Sequence, residues 1–175
     1  METETTAAAG ERTEGSPALA ALFREHHLSL VRVALLIVGD RATAEDVVQD
    51  AFAQVYRRAG AVSDHERALP YIRAAVVNRC RTVLRRRRIA WRAVKTYDPP
   101  AWSAESAVLE GEEHREVLAA LGRLPGRQRE ALVLRYYLGL GEAEIAEVMG
   151  IGRGTVKSTT SRALAALART LGETS

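Results

Sequence analysis

Cysteine occurs once in these 175 residues, as Cys80. A single thiol allows neither an intramolecular disulfide nor a cysteine-built zinc site, and it suits a reducing compartment. Aromatic residues make up only 5% of the chain, so its cores must be aliphatic, and the supply of Leu, Val, Ile and Ala favours helices. Lysine is nearly missing: Lys95 and Lys157 stand alone among cations that are otherwise all arginine. Arginine's planar fork suits phosphate and guanine, although a high-GC genome gives the same bias. The most apolar run, Leu28 to Val38, contains Arg32 and is too short to span a bilayer. Met1 to Ser16 is polar and acidic, lacks the blocks of a signal peptide, and reads as a disordered tail. A soluble, cytoplasmic protein is expected.

Catalytic patterns are missing too. His26-His27 follows Glu25 without the HExxH spacing of a zinc helix. His65 and His114 fall where solvated histidines are ordinary. No glycine-rich phosphate loop follows a strand, and no convincing strand exists. The chain is therefore expected to be no enzyme, with no cofactor, no metal and no small-molecule substrate.

What is present is helical periodicity. Pro17 fits the first turn of a helix carrying Leu19, Leu22, Phe23, His26, Leu30 and Val33, which Gly39-Asp40 ends. Thr43 is a plausible N-cap for a second helix, with Asp46 three residues on. That helix turns Val47, Val48, Ala51, Phe52, Val55 and Tyr56 inward and shows Glu45, Asp46, Gln49, Asp50 and Gln54 outward. After a loop at Ala59 to Leu69, Pro70 opens a third helix reaching about Ile89. Its stripe of Ile72, Ala75, Val76, Cys80, Val83 and Leu84 is apolar. Its other face gathers Arg73, Asn78, Arg79, Arg81, Arg85, Arg86, Arg87 and Arg88. Crowded guanidinium groups repel one another, and an anionic polymer relieves that repulsion by releasing its counterions. A solvated basic helix is the plainer alternative.

From Trp91 the pattern breaks at Asp98-Pro99-Pro100, and Ser103, Glu105 and Ser106 suit a linker, with Trp91 and Trp102 as anchors packing on a neighbouring surface. Val117, Leu118, Ala120, Leu121 and Leu124 begin a second helical unit, Pro125-Gly126 turns it, and Gln128 to Tyr137 continues it. Leu140 to Leu167 then reads as a helix-turn-helix. Ile145, Ala146 and Met149 share one face, Gly150 permits a left-handed turn, and Ile151 points back. A helix from about Thr155 turns Val156, Thr160, Ala163, Leu164 and Leu167 inward. Thr155, Lys157, Ser158, Ser161 and Arg162 form a polar, cationic stripe of the kind that meets a major groove. The expected fold is all-α: a tail (1–16), one small helical domain (17–90), a flexible linker (91–112) and a second helical domain (113–172).

In this order the pieces resemble a sigma-70-type RNA polymerase sigma factor of the extracytoplasmic-function (ECF) group. Phe23 to Asp50 is similar to sigma regions 2.1 and 2.2, Tyr71 to Arg88 to regions 2.3 and 2.4, and Leu124 to Leu164 to region 4. The resemblance implies promoter recognition and transcription initiation with core polymerase. Asp46, Gln49 and Asp50 would dock on the beta-prime clamp helices of core polymerase, whose beta flap is a further implied contact. The loop Ser63 to Arg67, with Asn78, Arg79, Arg81, Arg85, Arg86 and Arg88, would meet the melted −10 element. There, unstacked bases need a pocket and nearby cations. Arg153, Thr155, Lys157, Ser158, Ser161 and Arg162 would read the −35 element as duplex. An anti-sigma factor is an implied partner, and the free chain would be a monomer. Gly141 and Gly152 stand where many relatives carry Ser or another cap, and Thr159-Thr160 replaces a bulkier or more basic pair. The alternative is a stand-alone helix-turn-helix repressor, which would dimerise and bind duplex without polymerase.

Overall fold

The computed structural model describes residues 15–57, 65–93 and 112–172. Among these residues the regular elements are all helical. They are α1 (Gly15–Val38), α2 (Arg41–Arg57), α3 (His65–Ala93), α4 (Glu112–Arg123), α5 (Gly126–Leu132), a π-helical turn (Val133–Tyr137), α6 (Glu142–Met149) and α7 (Arg153–Gly172).

Helices α1 to α3 pack on one another as the first unit. Leu30, Val33, Ala34 and Ile37 of α1 recur at three- and four-residue spacing and are buried against Val48, Ala51 and Val55 of α2 and Ile72, Val76 and Cys80 of α3. Each Leu, Ile or Val among them contributes roughly 1.5–3 kcal/mol on leaving water. Phe23 meets Phe52 edge-to-face with ring centroids 4.9 Å apart. Gly39, at a φ of 90°, turns the chain from α1 into α2, a conformation that costs a Cβ-bearing residue dearly.

Several boundaries differ from expectation. The cap of α2 is Asp40, whose Oδ1 accepts the Thr43 N–H at 2.8 Å; Thr43 lies inside the helix. Tyr56 points outward and is 57% exposed, lying at the edge of the stripe that Val48, Phe52 and Val55 bury. Helix α3 begins at His65 and carries Pro70 inside it. Pro70 forfeits one backbone hydrogen bond, while the turn it sits in buries Ala68. The same helix runs on to Ala93, and α4 starts at Glu112, so both ends of the expected linker are helical. Trp102 and the linker centre, and most of the 59–69 loop, lie outside the described residues.

In the second unit, α5 packs against α7, its π turn packs against α6, and α6 closes the helix-turn-helix with α7. The π turn is marked by Leu138 N–H donating to the carbonyl of Val133, five residues back, at 3.3 Å. Glu130, Ala131, Leu132, Val133 and Leu134 are all buried in succession. A helix enclosed all round is one that serves two neighbours. Here α7 lies on one side and α1 and α3 on the other. The two units therefore touch, and their apolar side chains form one continuous cluster.

Candidate nucleic-acid and polymerase interface

Three glycines and a carboxylate bound the helices of the helix-turn-helix. Glu144 accepts the Gly141 N–H at 2.8 Å, satisfying a backbone donor that opens α6. Gly150 has φ 63°, and Ile151 N–H returns to the carbonyl of Ala146 at 3.1 Å, the left-handed closure expected there. Gly152 accepts Val156 N–H at 3.0 Å as α7 begins.

Val156, Thr159 and Ala163 bury one side of α7. Arg153, Thr155, Lys157, Ser158, Ser161 and Arg162 are all exposed, as their spacing predicts. At 3.6 residues per turn they sweep an arc of about 200°, centred on Lys157, Ser158 and Ser161 and opposite the buried side. Arg162 is folded back, its Nε donating to the Ser158 carbonyl at 3.1 Å. Two positions differ from the sequence reading. Leu164, expected inward, is 40% exposed, while Thr159 takes the inward place and cannot read a base.

On α2, Asp46, Gln49 and Asp50 are exposed along one face. Asp50 accepts Arg79 Nη1 at 2.8 Å, and Arg79 Nη2 reaches Gln54 Oε1 at 3.3 Å. A side chain assigned to polymerase docking is thus paired with one assigned to DNA. Between α2 and α3 lies a cleft of about 480 Å³ lined by Asp50, Gln54, Tyr71, Asn78, Arg79 and Arg86. It offers an aromatic ring, amide groups and guanidinium groups together, the mixture an unstacked base and its phosphate need.

The arginine run of α3 does not act as one surface. Arg85, Arg86 and Arg88 are exposed. Arg87 turns inward, donating to the Val38 carbonyl at 2.9 Å, Asp40 Oδ2 at 2.6 Å and Thr43 Oγ1 at 2.7 Å. Burial pushes the Asp40 carboxyl up, but the Thr43 and Arg87 hydrogen bonds outweigh it and hold the group below its usual range. Arg81 is also engaged, donating to Glu130 of α5 and to Asn78. Burial, and then the charge of Glu130, push the Cys80 thiol up to about 12, so this thiol is inert packing.

Glu130, Arg87 and Arg129, whose Nη1 donates to the Ile37 carbonyl at 2.7 Å, escape the sequence reading as structural polar groups. For Glu130 a local signal exists: it precedes Ala131 by one residue and Leu134 by four, which places a carboxylate on an inward stripe. Among the described residues no cluster of His, Cys, Asp or Glu could hold a metal ion, and no helix is long and apolar enough to cross a membrane.

Comparison with known proteins agrees with this geometry. The family model "Sigma-70 region 2" matches residues 22–89, and "Sigma-70, region 4" matches residues 114–167. The ECF RNA polymerase sigma factor SigM of Mycobacterium tuberculosis is 36% identical over 151 residues, covering 86% of this chain and 76% of the relative. An RNA polymerase sigma-E factor of Streptomyces antibioticus is 32% identical over 151 residues, covering 83% and 80% respectively. Two solved structures share the fold at 22% identity. One is CnrH in complex with the cytosolic domain of CnrY, at TM-score 0.67 over 94% of this chain and 99% of that one. The other is the sigma factor RpoE in complex with the anti-sigma factor NepR from Bartonella quintana, at TM-score 0.68 over 87% and 97%. With both sigma regions in order and relatives of this likeness, the chain belongs to the ECF family of RNA polymerase sigma factors.

Proposed function

We propose that this sigma factor docks on core polymerase through Asp46, Gln49 and Asp50, and divides promoter recognition between its two units. Arg153, Thr155, Lys157, Ser158, Ser161 and Arg162 of α7 read the −35 duplex. Asn78, Arg79, Arg81, Arg85, Arg86 and Arg88, with the cleft beside them, hold the opened −10 strand. The observation that carries this reading is the exposure of all six α7 positions opposite a buried stripe. A basic helix and a mixed polar cleft on the first unit support the melting role. A stand-alone repressor would have no use for that second nucleic-acid surface.

The chain's contribution is positional and electrostatic, without bond-breaking of its own. Cations neutralise phosphates, and the cleft gives an unstacked base a partner ring in Tyr71. An anti-sigma factor that covers these faces would silence the protein, as the partners named in the solved relatives suggest. Cytoplasmic action follows from the same reading.

The direct test is size-exclusion chromatography with core polymerase, followed by transcription from a cognate promoter. Stoichiometric co-elution that Asp50→Arg abolishes, with unchanged circular dichroism, is expected. Normal assembly by Asp50→Arg would remove the docking assignment. A wild-type chain that eluted apart from core and bound duplex as a dimer would favour the repressor.

A further inference from the structure

Gln54 lines the cleft between α2 and α3 without a role of its own, yet it holds a residue that has one. Arg79 of α3 donates from Nη1 to Asp50 Oδ2 at 2.8 Å and from Nη2 to Gln54 Oε1 at 3.3 Å. Its Nε is buried and meets no acceptor among the described residues. The placing of this guanidinium across the cleft therefore rests on two acceptors, both on α2. A guanidinium has further N–H groups on its terminal nitrogens, and here they belong to a side chain that lines the cleft.

The two acceptors are not alike. The Asp50 side chain is 66% exposed and stands on the docking face with Asp46 and Gln49, where polymerase cations compete with Arg79 for its carboxylate. Gln54 is one turn further on and half-buried. At about 100° per residue it lies about 80° round α2 from Asp46, at the border between the docking face and α3. It carries no charge for a cation to capture. When core polymerase engages Asp50, Gln54 Oε1 is the acceptor that stays with Arg79.

Such a hold matters because a long side chain loses rotamer freedom when it is fixed against a ligand, and that loss subtracts from affinity. Arg85, Arg86 and Arg88 are exposed along the same helix and meet a strand at that disadvantage. Arg79 is only 30% exposed and is ordered beforehand, with N–H groups left over for a phosphate oxygen.

We infer that Gln54 is a positioning residue for the −10 strand, which keeps Arg79 set across the α2–α3 cleft while core polymerase occupies Asp50. The inference rests on the proposed reading of Arg79 as a −10 contact and of Asp50 as a docking group. The effect of Gln54 passes through the Arg79 guanidinium, so removing its oxygen costs affinity only while Arg79 is present.

The test measures binding of holoenzyme, assembled with the full-length chain, to a single-stranded oligonucleotide carrying the −10 element of a cognate promoter, over a range of salt. Gln54→Met keeps the side-chain length and removes the acceptor, so core binding and the helical circular dichroism should be unchanged. Losing one phosphate contact on a single strand makes the slope of log K against log salt shallower by about 0.7. Gln54→Met should move the slope toward that value, with binding up to about fivefold weaker at ~0.1 M salt and converging on wild type near ~1 M. Gln54→Ala should behave alike. Arg79→Gln should lose the full contact, and the double variant should be no worse than Arg79→Gln alone. An equal loss at every salt concentration, additive with Arg79→Gln, would make Gln54 a structural residue and overturn the inference. A Gln54→Met holoenzyme that binds like wild type while Arg79→Gln is impaired would also overturn it, and the −10 assignment of Arg79 would still stand. If Arg79→Gln itself leaves affinity and slope unchanged, the −10 reading of that residue fails and the role of Gln54 falls with it.

Discussion

Arg87 and Cys80 illustrate how far a side chain's neighbours can override its type. Arg87 lies in a run of four arginines, yet it joins α3 to the α1–α2 corner through three acceptors. Arg87→Ala should therefore lower unfolding stability by about 2–3 kcal/mol, the scale for charge-assisted hydrogen bonds left unmade. Urea denaturation would show it, and Arg87→Lys should recover only part, since an ammonium cannot span that fork. Asp40 supplies a pH signature. Its folded pKa lies below the ordinary 3.8, so its contribution is fully present above that value and is lost as pH falls through the folded pKa. Asp40→Asn should accordingly flatten the fall in urea midpoint below about pH 4; an unchanged slope would put the acid sensitivity elsewhere. Cys80, with its thiol raised to about 12, should resist iodoacetamide at about pH 8 in the folded chain and react once unfolded. Fast labelling of the native chain would mean that α3 does not bury this position.

At the scale of elements, most of the fold is legible because helices announce themselves by period. Every apolar stripe of α1 to α3 is recoverable from three- and four-residue spacing, as is the solvent side of α7. The failures share a physical cause. Tyr56 and Leu164 sit at the edges of their stripes, where one step of about 100° decides between core and water and sequence spacing alone does not fix the facing surface. Pro70 reads as a start signal, but burial of Ala68 carries the helix through it. Ion pairs such as Arg81–Glu130 join residues 49 positions apart, so local spacing can mark Glu130 as inward but cannot name its partner. The helix-turn-helix gives a sharp test of the part that is legible. Gly150 has a φ of 63° and open space where a Cβ would go, so Gly150→Ala incurs conformational strain alone, roughly 1–2 kcal/mol. A thermal midpoint lower by about 2–8 °C is expected for a chain of this size, with Gly150→Asn losing less. On α7, Arg162→Ala should reduce −35-dependent transcription. A uniform loss across promoters would mark a phosphate contact, and relaxed sequence preference a base contact.

For the whole molecule the deciding quantity is reach. Residues 94–111 could extend at most ~60–65 Å at ~3.3–3.6 Å each, and the promoter elements stand roughly 85 Å apart. Deleting about ten residues from that stretch would leave ~26–29 Å, too little once the widths of the two units are added. The shortened chain should still bind core through α2 and lose transcription from promoters that need both elements. Full activity of the deletion would mean that the second unit is dispensable for promoter binding.

The five consecutive buried residues of α5 and its π turn bear on the life of the separated molecule. A regular helix with one neighbour keeps a dry side and a wet side; this one has no wet side between Glu130 and Leu134. Parting the units would hydrate a strip that the closed form keeps dry, a chaperone- and protease-visible strip if nothing else covers it.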